Sequence, residues 1–114
     1  MQLGSRIKLH VPEYARAPGH HLATVQAAIA SRRILELDYC NKAGRASRRR
    51  VEPMGLVFYN FAWHFIGWCH LRGEYRDFKV QRIRHLTATS RPFEQAQHLS
   101  LGHYLASLNL PFEV

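Results

Sequence analysis

The stretch Ala62-Trp63-His64-Phe65-Ile66-Gly67-Trp68-Cys69-His70-Leu71 is apolar at most positions on both parities. A strand with one wet face alternates, whereas a strand covered on both sides does not, so this run reads as a central strand. Tyr59-Asn60-Phe61 before it and Arg72-Gly73-Glu74 after it supply turns. Beyond the second turn, Tyr75 to Arg82 alternates again, and Ile83 to Thr89 can form a fifth short strand. Before the first turn, an extended stretch runs from Ser47 through Val51, Pro53, Leu56 and Phe58, with Pro53 and Gly55 arguing for a bend, bulge or edge position. Further upstream, Asn41-Lys42-Ala43-Gly44-Arg45 is a polar turn, and Leu35, Leu37 and Tyr39 alternate with Glu36 and Asp38 as in a half-buried strand. Five short strands joined by tight turns predict a mainly β fold, a small barrel.

The barrel is expected to carry a helix at each end. Leu22, Val25, Ala28 and Ile29 recur at three- and four-residue steps, which predicts a helix from His21 to about Arg33. Ser100 suits an N-cap, and Leu101, Tyr104, Leu105 and Leu108 share one helical face, so a short closing helix is expected. Residues 1–18 contain Pro12 and Pro18 without sustained periodicity and read as a tail or linker. The expected division is 1–18 as tail, 19–93 as the barrel domain and 94–114 as a C-terminal helical extension.

Charge is concentrated. The chain of 114 residues has a net charge of +8, and the segment from Arg32 to Arg91 holds 13 Lys and Arg against five acids. The whole excess therefore sits in the barrel segment, where it raises the local concentration of phosphate-bearing partners. A solvated, solubilising face is the alternative use of the same charge. Cys40 and Cys69 lack paired C-x-x-C spacing and are expected as reduced core residues. With no signal-like start and no run of about 20 apolar residues, the expectation is a cytoplasmic protein without a membrane partner.

On the strand Tyr75 to Arg82, a period of two puts Arg76, Phe78, Val80 and Arg82 on one face. Arginine keeps its proton, so a partly buried guanidinium needs an anionic or carbonyl partner. That partner is either internal, from Asp77, Glu52 or backbone carbonyls, or a ligand phosphate or carboxylate held bidentately. Arg49 shares its strand face with Val51, which points it in the same direction.

Arg49-Arg50-Val51-Glu52-Pro53-Met54-Gly55-Leu56-Val57-Phe58, Trp63-His64-Phe65, Leu71-Arg72-Gly73-Glu74-Tyr75-Arg76-Asp77-Phe78 and Gln81-Arg82-Ile83, with the lead-in Ala28-Ile29-Ala30-Ser31-Arg32-Arg33, together resemble the WYL domain. The resemblance covers about Leu22 to Phe93. It implies an Sm-like (SH3-like) barrel of bacterial transcription regulators, found behind a DNA-binding winged helix-turn-helix and thought to sense nucleotides or nucleic acid. By position, it implies that Arg49, Arg76 and Arg82 are anion ligands. Trp63, His64 and Phe65 occupy the W-Y-L triplet, so His64 replaces its tyrosine, and Gln81 replaces a usual aspartate. His64 can donate or accept a hydrogen bond and can titrate near neutral pH, which tyrosine cannot. Trp63 is expected as core first and as a base-stacking platform second.

No catalytic constellation or Gly-rich phosphate loop is visible, so an enzyme is not expected. His64 and His70 share parity but lie roughly 20 Å apart at strand rise, so they cannot share an ion; neither a metal nor a cofactor is expected. The reading is a regulatory domain that binds a nucleotide or single-stranded DNA or RNA. Its expected ligand residues are Arg49, Trp63, His64, Arg72, Arg76 and Arg82. A structural oligomerisation or interaction module with no ligand, in which Leu101 to Phe112 forms a homodimer or docks another domain, is the alternative.

Overall fold

The computed structural model describes residues 19–107; the expected tail 1–18, and Leu108 with the rest of 108–114, lie outside the described residues. Helix α1 (Gly19–Ser31) is followed by β1 (Arg33–Cys40), β2 (Ala46–Tyr59), β3 (Ala62–Cys69), β4 (Glu74–Lys79), a 3-10 turn (Val80–Arg82), β5 (Ile83–Pro92) and α2 (Leu101–Ser107). The five strands form one antiparallel sheet in the order β4-β3-β2-β1-β5.

The long strand β2 organises the sheet. Ala46 to Val51 pairs with β1, and Val51 to Tyr59 pairs with β3, so one strand changes neighbours at Val51. The register with β3 shifts between Pro53 and Gly55, at the residues whose missing N–H and missing side chain suit a bulge. Gly67 on β3 lies against this point. A Cβ there would sit 2.4 Å from Val51 Cγ1 and 2.8 Å from the Glu52 carbonyl, so only glycine lets the two strands approach so closely. Asn60 and Phe61 both take positive φ, 51° and 63°, which is the geometry of a type I′ hairpin turn.

Apolar alternation on β1 places Leu35, Leu37 and Tyr39 inside, while Glu36 and Asp38 stay half-buried and bind Arg50 and Arg48. Phe65, Ile66 and Cys69 of β3 are fully buried, in keeping with a strand covered on both sides. Val25 and Ala28 of α1 close the core, with Leu22 and Ile29 at its margin. Each large apolar side chain so buried contributes about 1.5–3 kcal/mol. Arg32, at φ 54°, ends α1 in a left-handed residue, so the chain enters β1 at Arg33 and the helix stops two residues before the expected boundary.

Ser100 does cap α2, its Oγ accepting the His103 N–H at 3.1 Å, and Tyr104 is buried. Cys69 is core as expected, whereas Cys40 is half-buried; both are free thiols. The strand expected from Tyr75 to Arg82 ends at Lys79. The 3-10 turn that follows has three residues per turn, which breaks the two-residue alternation before Arg82. Among the described residues no helix is long and apolar enough to cross a membrane.

Candidate anion-binding cleft

The break at Lys79 decides which cations meet. On β4 the alternation buries Phe78 and leaves Tyr75, Asp77 and Lys79 half-buried on the other parity. The 3-10 turn then rotates Arg82 onto the side of Asp77 and Lys79, away from the parity of Arg76. Together with Tyr39, Lys42, Tyr59, Asn60 and His64 they line a cleft of about 270 Å³. A second cleft of about 390 Å³ runs on from it, sharing Lys42 and Arg82 and adding Cys40, Asn41, Gly44, Gln81 and Arg84.

The one acid in these walls is already engaged. Asp77 Oδ1 lies 2.7 Å from His64 Nδ1, and Oδ2 accepts the Tyr59 hydroxyl proton. The Tyr59 and His64 rings stack with centroids 4.0 Å apart. Burial, then the cations Lys79 and Arg82, push the His64 pKa down to about 4, and burial pushes the Asp77 carboxyl up to about 6. At pH 7 the imidazole is therefore neutral. It donates Nδ1–H to the Asp77 carboxylate and keeps Nε2 as an acceptor. Burial and the two cationic neighbours thus move His64 below the near-neutral titration expected of its residue type.

Tyr39 forms the floor. Its hydroxyl accepts the Lys79 N–H at 2.9 Å, and burial, opposed by that bond and by Arg82 and Arg49, raises its pKa, so it stays protonated. Lys42, Lys79, Arg82 and Arg84 form no side-chain ion pair among the described residues. By contrast, Arg48, Arg50, Arg76 and Arg91 each hold a carboxylate.

Of the six residues expected to bind ligand, His64 and Arg82 meet in the cleft. Arg49 is only 8% exposed; it binds Ser47 Oγ at 3.0 Å and Cys69 Sγ at 3.6 Å and lies over the Phe78 ring. Arg76 is exposed and bonded to Glu74 at 2.6 Å. Arg72 is exposed in the β3–β4 turn. Trp63 is half-buried against the core and meets Phe58 edge-on at 5.4 Å. Sequence reasoning did not select Tyr39, Lys42, Tyr59, Asn60 or Lys79. The signal available for Lys79 was its shared parity with Asp77; the turn residues Lys42 and Asn60 offered none.

A model of the WYL domain matches residues 20–88. The chain is 49% identical over 39 residues to the "DNA-binding transcriptional repressor CapW" of Escherichia coli, a match in strain KTE188 and in the species at large, covering 34% of this chain and 13% of the repressor. Its fold is similar to that of the "Proteasome accessory factor B/C (PafBC) of Arthrobacter aurescens", with a TM-score of 0.63 and 24% identity, over 83% of this chain and 15% of that one. The chain thus spans about an eighth of the curated relatives it matches.

Proposed function

The chain belongs to the WYL domain family, and on that premise we propose that it is the ligand-sensing regulatory domain of a bacterial transcriptional regulator. The ligand is anionic, a nucleotide or single-stranded nucleic acid, held in the cleft between the β2–β3 hairpin, β4 and the 3-10 turn. The observation that carries this reading is the gathering of Lys42, Lys79, Arg82 and Arg84, without carboxylate partners among the described residues, beside an acid already bound by Tyr59 and His64.

In this mechanism Lys79 and Arg82 hold a phosphate, Arg82 through its planar fork and Lys79 as a point charge. The Tyr39 hydroxyl and His64 Nε2 then face the sugar or base as donor and acceptor. Arg49 holds the core beneath the site, and Arg84 with Lys42 extends the track toward a second phosphate. The shape read is an Sm-like barrel, bent at the Pro53 bulge, and the location read is cytoplasmic. The reading is of a binding domain and not of an enzyme.

Operator reading belongs, in this proposal, to a DNA-binding domain distinct from this barrel; the repressor relative is itself described as DNA-binding. Occupation of the cleft would change how this domain packs on that partner.

The test is the salt dependence of binding. An oligonucleotide laid along both clefts gives a steep fall of log K with log salt, whereas a mononucleotide gives a shallow one. No binding of either at low salt would reject the reading.

A further inference from the structure

Glu52 is the only fully buried acid among the described residues. A buried carboxylate needs compensation, and here it comes without lysine or arginine. Oε2 meets His70 Nε2 at 2.8 Å and accepts the Glu94 N–H at 3.0 Å. Oε1 meets His98 Nε2 at 2.8 Å and accepts the Gln95 N–H at 3.3 Å. Burial pushes the carboxyl up, but the bonds from His70, Glu94, His98 and Gln95 outweigh it and hold it below the usual range, so it is an anion at pH 7. The Tyr75 hydroxyl meets His98 Nδ1 at 3.0 Å and orients that ring.

The Glu94 side chain returns to the same place. Donor atoms of Glu52, His70 and Glu94 all lie within 4.8 Å of one another. In a tetrahedral zinc site with ligands at 2.0–2.1 Å, donors stand about 3.4 Å apart, so small rotations of His70 and Glu94 bring the three to a common centre. Both can move. The side chains of His70 and Glu94 are 21% and 59% exposed, the latter in a loose 3.7 Å pair with Arg91, while Glu52 is fixed. The half-open side also gives an entry path. Reading along one strand compared His70 with the distant His64; across the fold, His70 instead meets acids from β2 and from the segment after β5.

We propose that Glu52, His70 and Glu94 bind a divalent transition metal of the Zn²⁺ class, independently of the anion cleft; His70 takes its Nδ1–H tautomer, and its Nε2 exchanges the hydrogen bond to Glu52 for the ion. One imidazole and two carboxylates favour Zn²⁺ over Mg²⁺, which prefers an all-oxygen, largely hydrated shell. Two carboxylates neutralise the ion. His98 and the Gln95 N–H hold the second oxygen of Glu52, as the outer partners of metal-bound carboxylates do. The bound ion ties β2, the end of β3 and the segment leading to α2, fastening the closing helix to the sheet.

The test is competition of the full chain with a chromogenic chelator for Zn²⁺, with Mg²⁺ as the control ion. One equivalent of Zn²⁺ binds at micromolar concentration or tighter and raises the unfolding temperature, whereas Mg²⁺ does neither. Glu94→Gln, at an exposed position that leaves the fold unchanged by circular dichroism, weakens Zn²⁺ binding at least tenfold and abolishes the thermal shift, and His70→Ala does the same. Failure of the wild type to compete overturns the proposal. So does binding that survives unchanged in both variants, which would assign the metal to other histidines.

Discussion

His64 Nδ1 lies 2.7 Å from Asp77 Oδ1, and this bond decides what charge the cleft presents to a ligand. With the imidazole pushed down to about 4 and the carboxyl up to about 6, the pair carries one negative charge at pH 7.5 and almost none at pH 5. Lys42, Lys79 and Arg82 line the same cleft.

Anion affinity should therefore rise as pH falls from 7.5 to 5, through protonation of Asp77 and not of His64. Asp77→Asn is expected to tighten anion binding at pH 7.5 roughly fivefold, since a unit charge a few ångströms away is worth about 1 kcal/mol in a wet site. The same variant should flatten the pH profile over this range. Calorimetric titration at several pH values with a dinucleoside monophosphate, whose phosphodiester keeps its charge over this range, measures both.

Two arginines of β4 and its turn should separate cleanly. Arg82 lines both clefts, and Arg82→Ala should cost about tenfold in anion affinity, ~1.4 kcal/mol. Arg76 is bonded to Glu74, so Arg76→Ala should leave affinity within experimental error. Equal losses in the two variants would count against the cleft as drawn.

Glu52 makes stability depend on acid. Its folded pKa lies below the unfolded one, so its stabilisation is fully present above the ordinary carboxylate value and is lost as pH falls through the depressed folded value. Glu52→Gln should destabilise by about 2 kcal/mol at pH 7, because a charged acceptor is lost from four bonds. Below the folded pKa the difference from wild type should shrink. Urea unfolding across pH 7 to 3 reads it.

Gly67→Ala tests the strand crossing. The added methyl meets Val51 Cγ1 and backbone of β2, neither of which can retreat cheaply, so a loss of about 2 kcal/mol is expected. Differential scanning fluorimetry of the variant beside wild type gives the shift in midpoint.

What the sequence revealed and what it hid follow from the range of the forces involved. Alternation in Leu35, Leu37 and Tyr39, the largely apolar run of β3, the Pro53–Gly55 bulge and the Ser100 cap are local signals, and each matches the structure. Val80-Gln81-Arg82 contains neither glycine nor proline, so the change from strand to 3-10 turn left no mark, and Arg82 was assigned to the face of Arg76. Glu52 looked like one more alternating acid because its partners stand 18 to 46 residues away. Arg49 was placed on the inward face, where it is; its burial against Ser47, Cys69 and Phe78 depends on strand pairing that no short motif reports.

The most direct measurement is fluorescence anisotropy of labelled single-stranded DNA and RNA at two salt concentrations, with wild type beside a Lys79→Ala, Arg82→Ala double variant and an Arg76→Ala control. Salt-sensitive binding by wild type and control, lost in the folded double variant, is the predicted result. Binding that the double variant retains in full would contradict the account and move the ligand away from this cleft.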